Sequence, residues 1–176
     1  MRERLHGMLL AGLLGLASGA AGATELDDAI AAYQRGDHAQ AVPTLTSAAE
    51  QGDPLAQVYL GLAYYNGHGV EENDIVAFTW FWRAAEQGDA EGQYQLAYMY
   101  TYGFGIPEGE PDPEGKAVEW YERAAQQGHA EAQFNLGLLL LAGSGVQRDE
   151  ATGLRWIETA AANGSEGARR FTGEIN

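Results

Sequence analysis

The chain has 176 residues, of which 25 are acidic and ten are basic, and its formal net charge at pH 7 is −15. Such a charge repels phosphate backbones, so nucleic-acid binding is not expected and a basic partner is favoured, although acidity can also serve solubility alone. The sequence contains no cysteine, which excludes disulfide bonds and leaves core packing to hold the fold.

The first 23 residues have the organisation of a secretory signal peptide. Two arginines precede an apolar run over residues 8–17, and small residues at 21–23 follow it. The run is shorter than the roughly 20 apolar residues that span a bilayer as a helix. We expect cleavage after Ala23, with Ala20 as the alternative, and a periplasmic or secreted protein without a transmembrane segment. The mature chain would keep 24 acidic and eight basic residues, a formal charge of −16.

Residues 24–52 are predicted to form a degenerate first helix pair that is similar to a tetratricopeptide repeat. One helix is expected around residues 26–35 and a second over residues 38–51, with a Gly-Asp turn between them. Pro43 lies inside the second helix. Because proline removes a backbone donor, it is expected to bend or shorten the first turns of that helix.

An Ala-Ala pair followed three residues later by glycine recurs four times along the chain. The closing glycines lie 36, 40 and 36 residues apart, a period typical of stacked helix pairs. The period predicts three complete repeats, and the last residues are expected to form a short helix that caps the stack with a polar outer face. The predicted boundaries are 53–88, 89–128 and 129–164 for the repeats and 165–176 for the capping helix.

Each repeat carries the same apolar stripes on its two helices. In the second helix a tryptophan stands four residues before the Ala-Ala pair, on the same helical face. In the first helix a leucine stands four residues after a small residue, which predicts one buried face. Asp74 and Asp149 fall where second helices begin and are predicted N-caps or first-turn acids. The predicted core residues are Trp80, Trp120 and Trp156 in the second helices and Leu60, Leu96 and Leu136 in the first.

The second complete repeat is longer than its neighbours by four residues. The extra length falls between Pro107 and Pro113, a segment with three prolines and several acidic residues. Such a segment cannot continue a helix, so it is predicted to be an exposed acidic loop. It can be a tolerated surface insertion or part of a functional face.

The repeat motif resembles the Sel-one-like repeat (SLR). The motif reads Leu60-Gly61-x-x-Tyr64-x-x-Gly67-x-Gly69-Val70, then Ala77-x-x-Trp80-x-x-x-Ala84-Ala85-x-x-Gly88. The resemblance implies an all-α fold, a right-handed α/α superhelical solenoid of stacked antiparallel helix pairs. It also implies adaptor or regulatory roles in envelope complexes or signalling, and an immunity-type inhibitor role for some exported members.

The resemblance leaves a second class of function open. Some cysteine-rich secreted members of the family are associated with β-lactam binding or hydrolysis, so a protein that binds or hydrolyses β-lactams or cell-wall fragments is the alternative. Those members depend on a disulfide-laced scaffold, which this chain lacks. A purely structural, tethering role is a third possibility.

Catalytic, cofactor and metal sites are not expected. His38, His68 and His129 fall in separate turns rather than in one cluster, and they lack the short helical spacing of a zinc site. Ser144 lies in the repeat turn and not in a nucleophile elbow. The many carboxylates have no second motif to orient them. The sequence therefore favours a non-enzymatic interaction module.

A protein or peptide partner is predicted on the concave face, which the first helices of solenoid repeats form. The candidates are columns outside the core stripe and aromatic residues near the turns, since tyrosine is a preferred anchor at interfaces. These side chains can alternatively pack between repeats. The candidates are Tyr59, Leu62, Tyr65, Gln95, Tyr98, Tyr102, Asn135 and Leu138, with Phe104 beside them.

Overall fold

The computed structural model describes residues 25–173, and the predicted signal peptide lies outside this range. Within it every secondary structure element is a helix and there is no strand, so the predicted all-α solenoid is confirmed. None of the helices found there is long and apolar enough to cross a membrane. The helices are α1 (Glu25–Gln34), α2 (His38–Glu50), α3 (Pro54–Asn66), α4 (Asp74–Glu86), α5 (Ala90–Tyr102), α6 (Pro113–Gln126), α7 (Ala130–Ala142), α8 (Glu150–Ala162) and α9 (Glu166–Thr172).

Side-chain caps fix where most of these helices begin. A capping oxygen or nitrogen accepts a hydrogen bond from a backbone N–H of the first turn, which would otherwise lack a partner. Asp149 caps α8 as predicted, whereas α4 is capped by Asn73, which makes Asp74 the first residue of that helix. α2 runs through Pro43 without interruption. The odd-numbered helices α3, α5, α7 and α9 are capped by Asp53, Asp89, His129 and Ser165.

Consecutive helices pack against each other along the whole described chain. Among helices that are not consecutive, the more extensive contacts join α1 with α3, α3 with α5 and α7 with α9. All of these are odd-numbered, so the odd helices lie closer together than the even helices. This arrangement curves the stack and places the odd helices on its inner, concave side.

The predicted core columns occupy the space between the helices. The three leucines of the first helices are buried, and Trp120 is only 5% exposed. Trp80 and Trp156 are partly buried and pack against the core. In α4 and α6 an arginine one turn later lies over the indole, with Arg83 4.6 Å from the Trp80 ring and Arg123 4.3 Å from the Trp120 ring.

A ladder of buried amides links successive repeats. Gln133 on α7 donates to the carbonyl of Ala125, at the end of α6, at 3.0 Å, and accepts from Asn163, just after α8, at 2.9 Å. Gln57 and Gln93 make the equivalent pairs of bonds in the two preceding repeats. All three glutamines are buried, so each one ties three helices together without exposing a polar group to solvent.

Replacing Gln133 by leucine is expected to lower the free energy of unfolding by about 1–3 kcal/mol. The reason is that leucine keeps the volume but removes a hydrogen bond to the Ala125 carbonyl and the acceptor for Asn163. The matched control is Gln126→Leu, because Gln126 is exposed and a surface substitution changes stability by about 0.5 kcal/mol or less. Urea unfolding followed by circular dichroism measures both, and equal midpoints for the two variants would show that the ladder contributes nothing.

Candidate functional site

The inner face is more closely packed than the sequence indicated. Tyr59 is fully buried, and Leu62, Tyr65 and Gln95 are also buried. The physical reason is that α3 is packed against α1, α2, α4 and α5, and α5 is packed against α3, α4 and α6. These four predicted partner-binding residues therefore serve the interior of the stack in this conformation.

Hydrogen bonds hold the hydroxyl groups of two buried tyrosines, Tyr59 on α3 and Tyr121 on α6. Gln34 donates to the Tyr59 hydroxyl at 2.8 Å, and Asn135 donates to the Tyr121 hydroxyl at 3.2 Å. Burial raises the pKa of Tyr59, Tyr94 and Tyr121 above the usual tyrosine value. These phenols stay neutral at physiological pH, so they contribute ring packing and hydrogen bonds rather than charge.

The remaining four predicted residues reach the surface to different degrees. Asn135, Leu138 and Tyr98 are partly buried, whereas Tyr102 is 58% exposed. Tyr98 and Tyr102 lie one turn apart on α5, with ring centroids 4.5 Å apart. The structure thus keeps part of the predicted column accessible at the C-terminal end of α5.

An aromatic surface forms at this end of α5, comprising Tyr98, Tyr102 and Phe104, and the buried Tyr65 packs beneath it. The Phe104 ring lies 5.8 Å from that of Tyr65 and 6.2 Å from that of Tyr102, and Tyr65 meets Tyr98 edge-on at 6.3 Å. The residues forty positions after Tyr102 and Phe104 are Ala142 and Ser144, so the next repeat does not extend the surface with rings. Tyr102 consequently ends the row of rings and is the most exposed of them.

The acidic loop follows the aromatic surface directly. Residues 107–109 and 111–112 are exposed, in agreement with the predicted surface loop. Asp112 caps α6 by accepting a hydrogen bond from the Gly115 N–H at 3.0 Å. Glu108 caps no helix of the described residues, and its side chain is exposed four residues after Phe104. The loop therefore adds exposed negative charge beside exposed aromatic rings.

A cluster of polar side chains joins α5 to the start of α7. The His129 Nδ1 accepts from the Ala132 N–H at 3.1 Å, so the ring proton lies on Nε2, which donates to the Glu91 Oε2 at 3.0 Å. The same carboxylate accepts from Gln95 through its other oxygen at 2.6 Å, and the imidazole stacks on Tyr94 at 4.5 Å. Both nitrogens and both oxygens are used, so the cluster works as an inter-repeat clamp.

Two histidines, His38 and His68, lie closer together than the sequence predicted. His38 and His68 were expected in separate turns, but their rings stack 4.1 Å apart, and Tyr33 packs against both. They meet because the turn after α3 folds back onto the start of α2, where Gly69 approaches the His38 backbone closely. The structure shows no group of three or more metal-ligating side chains among residues 25–173.

Comparison with known proteins agrees with the repeat assignment. The family model described as Sel1 repeat matches residues 54–89, 90–129 and 130–165. Among solved structures, the chain is similar to a Sel1 repeat protein from Oxalobacter formigenes, with 36% identity and a TM-score of 0.72 over 80% of this chain and 56% of that one. No curated protein matches.

Two further solved structures are similar. One is a protective antigen present in uropathogenic Escherichia coli strains that displays an SLR fold, with 36% identity and a TM-score of 0.68 over 76% of this chain and 28% of that one. The other is cysteine-rich protein B from Helicobacter pylori, with 22% identity and a TM-score of 0.56 over 86% of this chain and 99% of that one, which shows the fold alone. The chain thus spans little more than half of the Oxalobacter protein and less than a third of the antigen.

Proposed function

Because the chain belongs to the Sel1 repeat family, whose fold generally serves as a protein-interaction module, we propose that it is an exported, non-enzymatic protein that binds a protein or peptide on its inner, concave side. The observation that carries this proposal is the aromatic surface at the end of α5. Rings of this kind bury a large area at a low cost in side-chain entropy, so they are preferred anchors at protein interfaces.

The burial pattern supports a binding surface with fewer residues than the eight predicted from the sequence. Tyr98 and Tyr102 supply the accessible rings, and Leu138 and Asn135 on the neighbouring α7 are partly exposed. The buried Tyr59 and Gln95 contribute indirectly, since they hold α3 and α5 in place beneath the surface. A partner would contact the rings while the clamp and the amide ladder keep the helices fixed.

The proposed cellular setting is the bacterial periplasm or the exterior. The signal-peptide pattern of the first 23 residues supports export, and the strong negative charge suits an adaptor, a regulator or an immunity-type inhibitor that masks a basic protein. Sel1 repeat proteins are typically non-enzymatic scaffolds, and we propose no cofactor for this chain.

Replacing Tyr98 and Tyr102 by alanine together is expected to weaken partner binding about tenfold or more, as loss of interface anchors does. The tagged protein is used to capture partners from envelope extracts of the bacterium that produces it, and the affinity of each captured partner is then measured. Trp82→Ala is the matched control, since Trp82 is an exposed ring on the even helix α4 and is not part of the proposed surface.

The control and the double variant must both retain the circular dichroism of the original protein. Equal binding by the double variant and by Trp82→Ala would contradict the proposed surface. If the folded protein captures no specific partner but binds β-lactams or cell-wall fragments saturably, the alternative function replaces the interaction module.

A further inference from the structure

Negative charge is concentrated in one part of the chain. Residues 36–115 contain thirteen acidic residues and a single basic one, Arg83, whereas residues 116–176 contain eight acidic and six basic residues. Arg83 lies over the indole of Trp80. The field around α3, α4 and α5 is therefore much more negative than the field around α7, α8 and α9.

The aromatic surface lies within the acidic part of the stack. Glu108, four residues after Phe104, is within about 14 Å of it along the chain even if the loop is fully extended. The preceding turn contributes Glu71 and Glu72, and it belongs to the same edge because Tyr65, at the end of α3, packs against Phe104. Carboxylates thus flank the rings from two successive turns.

The packing of the turns keeps these charges beside the rings. The Gly105 backbone approaches the carbonyl of Asp74 at the start of α4, so the turn that carries Phe104 rests on the turn that carries Glu71 and Glu72. Lys116, the first basic residue after the loop, is paired with Glu119 at 2.9 Å. Because Glu119 offsets the charge of Lys116, this cation does not neutralise the carboxylates of the edge, which keeps its excess of negative charge.

Resting on the proposed binding function, we propose that the edge formed by Tyr98, Tyr102 and Phe104 with Glu71 and Glu108 docks a peptide segment rich in arginine or lysine. A cationic side chain of the segment contacts the exposed ring of Tyr102, and neighbouring cations of the segment pair with the carboxylates. The charge of the surface selects the occupant: a neutral segment gains ring contact alone and an acidic one is repelled, whereas a basic one gains ring contact and attraction together.

The direct test uses synthetic peptides and the full chain. The probe is a fluorescently labelled peptide of arginines separated by glycine and serine, and the counter-probe carries glutamate in place of arginine. Fluorescence anisotropy measures both affinities at low and at physiological ionic strength. We expect saturable binding of the arginine peptide, no binding of the glutamate peptide, and weaker binding as salt rises, since charges are screened over about 8 Å at 0.15 M.

Two variants separate the rings from the charges. Tyr102→Ala removes the most exposed ring and is expected to weaken binding of the arginine peptide about two- to fivefold, the value of one exposed cation–π contact. Glu71→Gln together with Glu108→Gln is expected to weaken it about two- to tenfold and to reduce its salt dependence. All three residues are exposed, so both variants should keep the helical circular dichroism of the original.

The matched control is Glu122→Gln with Glu158→Gln, which makes the same change in net charge at exposed positions of α6 and α8. It should leave the affinity within about twofold. An equal loss of affinity in this control would show that the overall negative charge causes binding, and it would overturn the site. Full binding by Tyr102→Ala, or no binding of the arginine peptide, would also overturn the site. If captured partners bind but the arginine peptide does not, this inference fails while the interaction function stands; if neither binds, both fail.

Discussion

Replacing Trp120 by alanine is expected to lower the free energy of unfolding by about 3–5 kcal/mol, the cost of truncating a large core aromatic. The ring is 5% exposed within the main core cluster, so its removal leaves a cavity between α6 and its neighbours. The variant also removes the surface on which Arg123 lies, 4.3 Å from the ring. Urea unfolding followed by circular dichroism measures the change.

Trp82→Ala is the matched control for this prediction. Trp82 is 46% exposed on α4 and stands outside the tryptophan column of the repeats, so its loss should cost less than about 1 kcal/mol. The comparison holds the residue type constant and changes only the environment. An unchanged melting temperature for Trp120→Ala would contradict the register that aligns Trp80, Trp120 and Trp156.

The repeat fold was predictable from the sequence because its determinants are local and recur. Spacings of 36 and 40 residues identify the helix pairs, and an interval of four residues places Trp120 on the same face as Ala124. Core columns such as Leu60 and Leu96 follow from the same rule. Each of these features depends on helix geometry within one repeat, which a single sequence displays.

The contacts between repeats were harder to predict. Burial of Tyr59 and Gln95 depends on how closely α3 and α5 approach, which is set by the curvature of the whole stack. The stacking of His38 on His68 depends on how the first helix pair packs on the next repeat, and that pair carries only part of the repeat motif. Side chains aligned on one helix column can therefore be surface residues or interior residues.

The sequence contains a signal for the amide ladder. Gln57, Gln93 and Gln133 recur at the repeat spacing, each directly after the small residue of the first helix. A polar residue repeated at a position next to the core stripe indicates a bond that every repeat needs, because an unpaired buried amide would be costly. The aromatic surface, in contrast, breaks the repeat: Tyr102 and Phe104 have no aromatic counterparts at Ala142 and Ser144.

Replacing Gly105 by alanine is expected to lower the free energy of unfolding by about 2–5 kcal/mol. Gly105 has φ +62°, a left-handed conformation that costs an L-residue about 1–2 kcal/mol. An added Cβ would also overlap the Asp74 carbonyl oxygen and lie 3.0 Å from the Ile75 nitrogen, both of them backbone atoms that cannot rotate away. Relieving this overlap separates the turn from α4, and overpacking of this kind costs about 1–3 kcal/mol more.

Gly103→Ala isolates the conformational part of this cost. Gly103 ends α5 with φ +74°, and an added Cβ there meets no atom within 4 Å, so this variant should lose only about 1–2 kcal/mol. The difference between the two variants measures the contact between successive turns. That contact also holds Phe104 beside Tyr65, so Gly105→Ala should weaken binding of the arginine peptide more than Gly103→Ala does. Equal stability and equal peptide affinity of the two variants would mean that the turn does not rest on α4. The contact between the turns would then not hold the aromatic rings near Glu71 and Glu108.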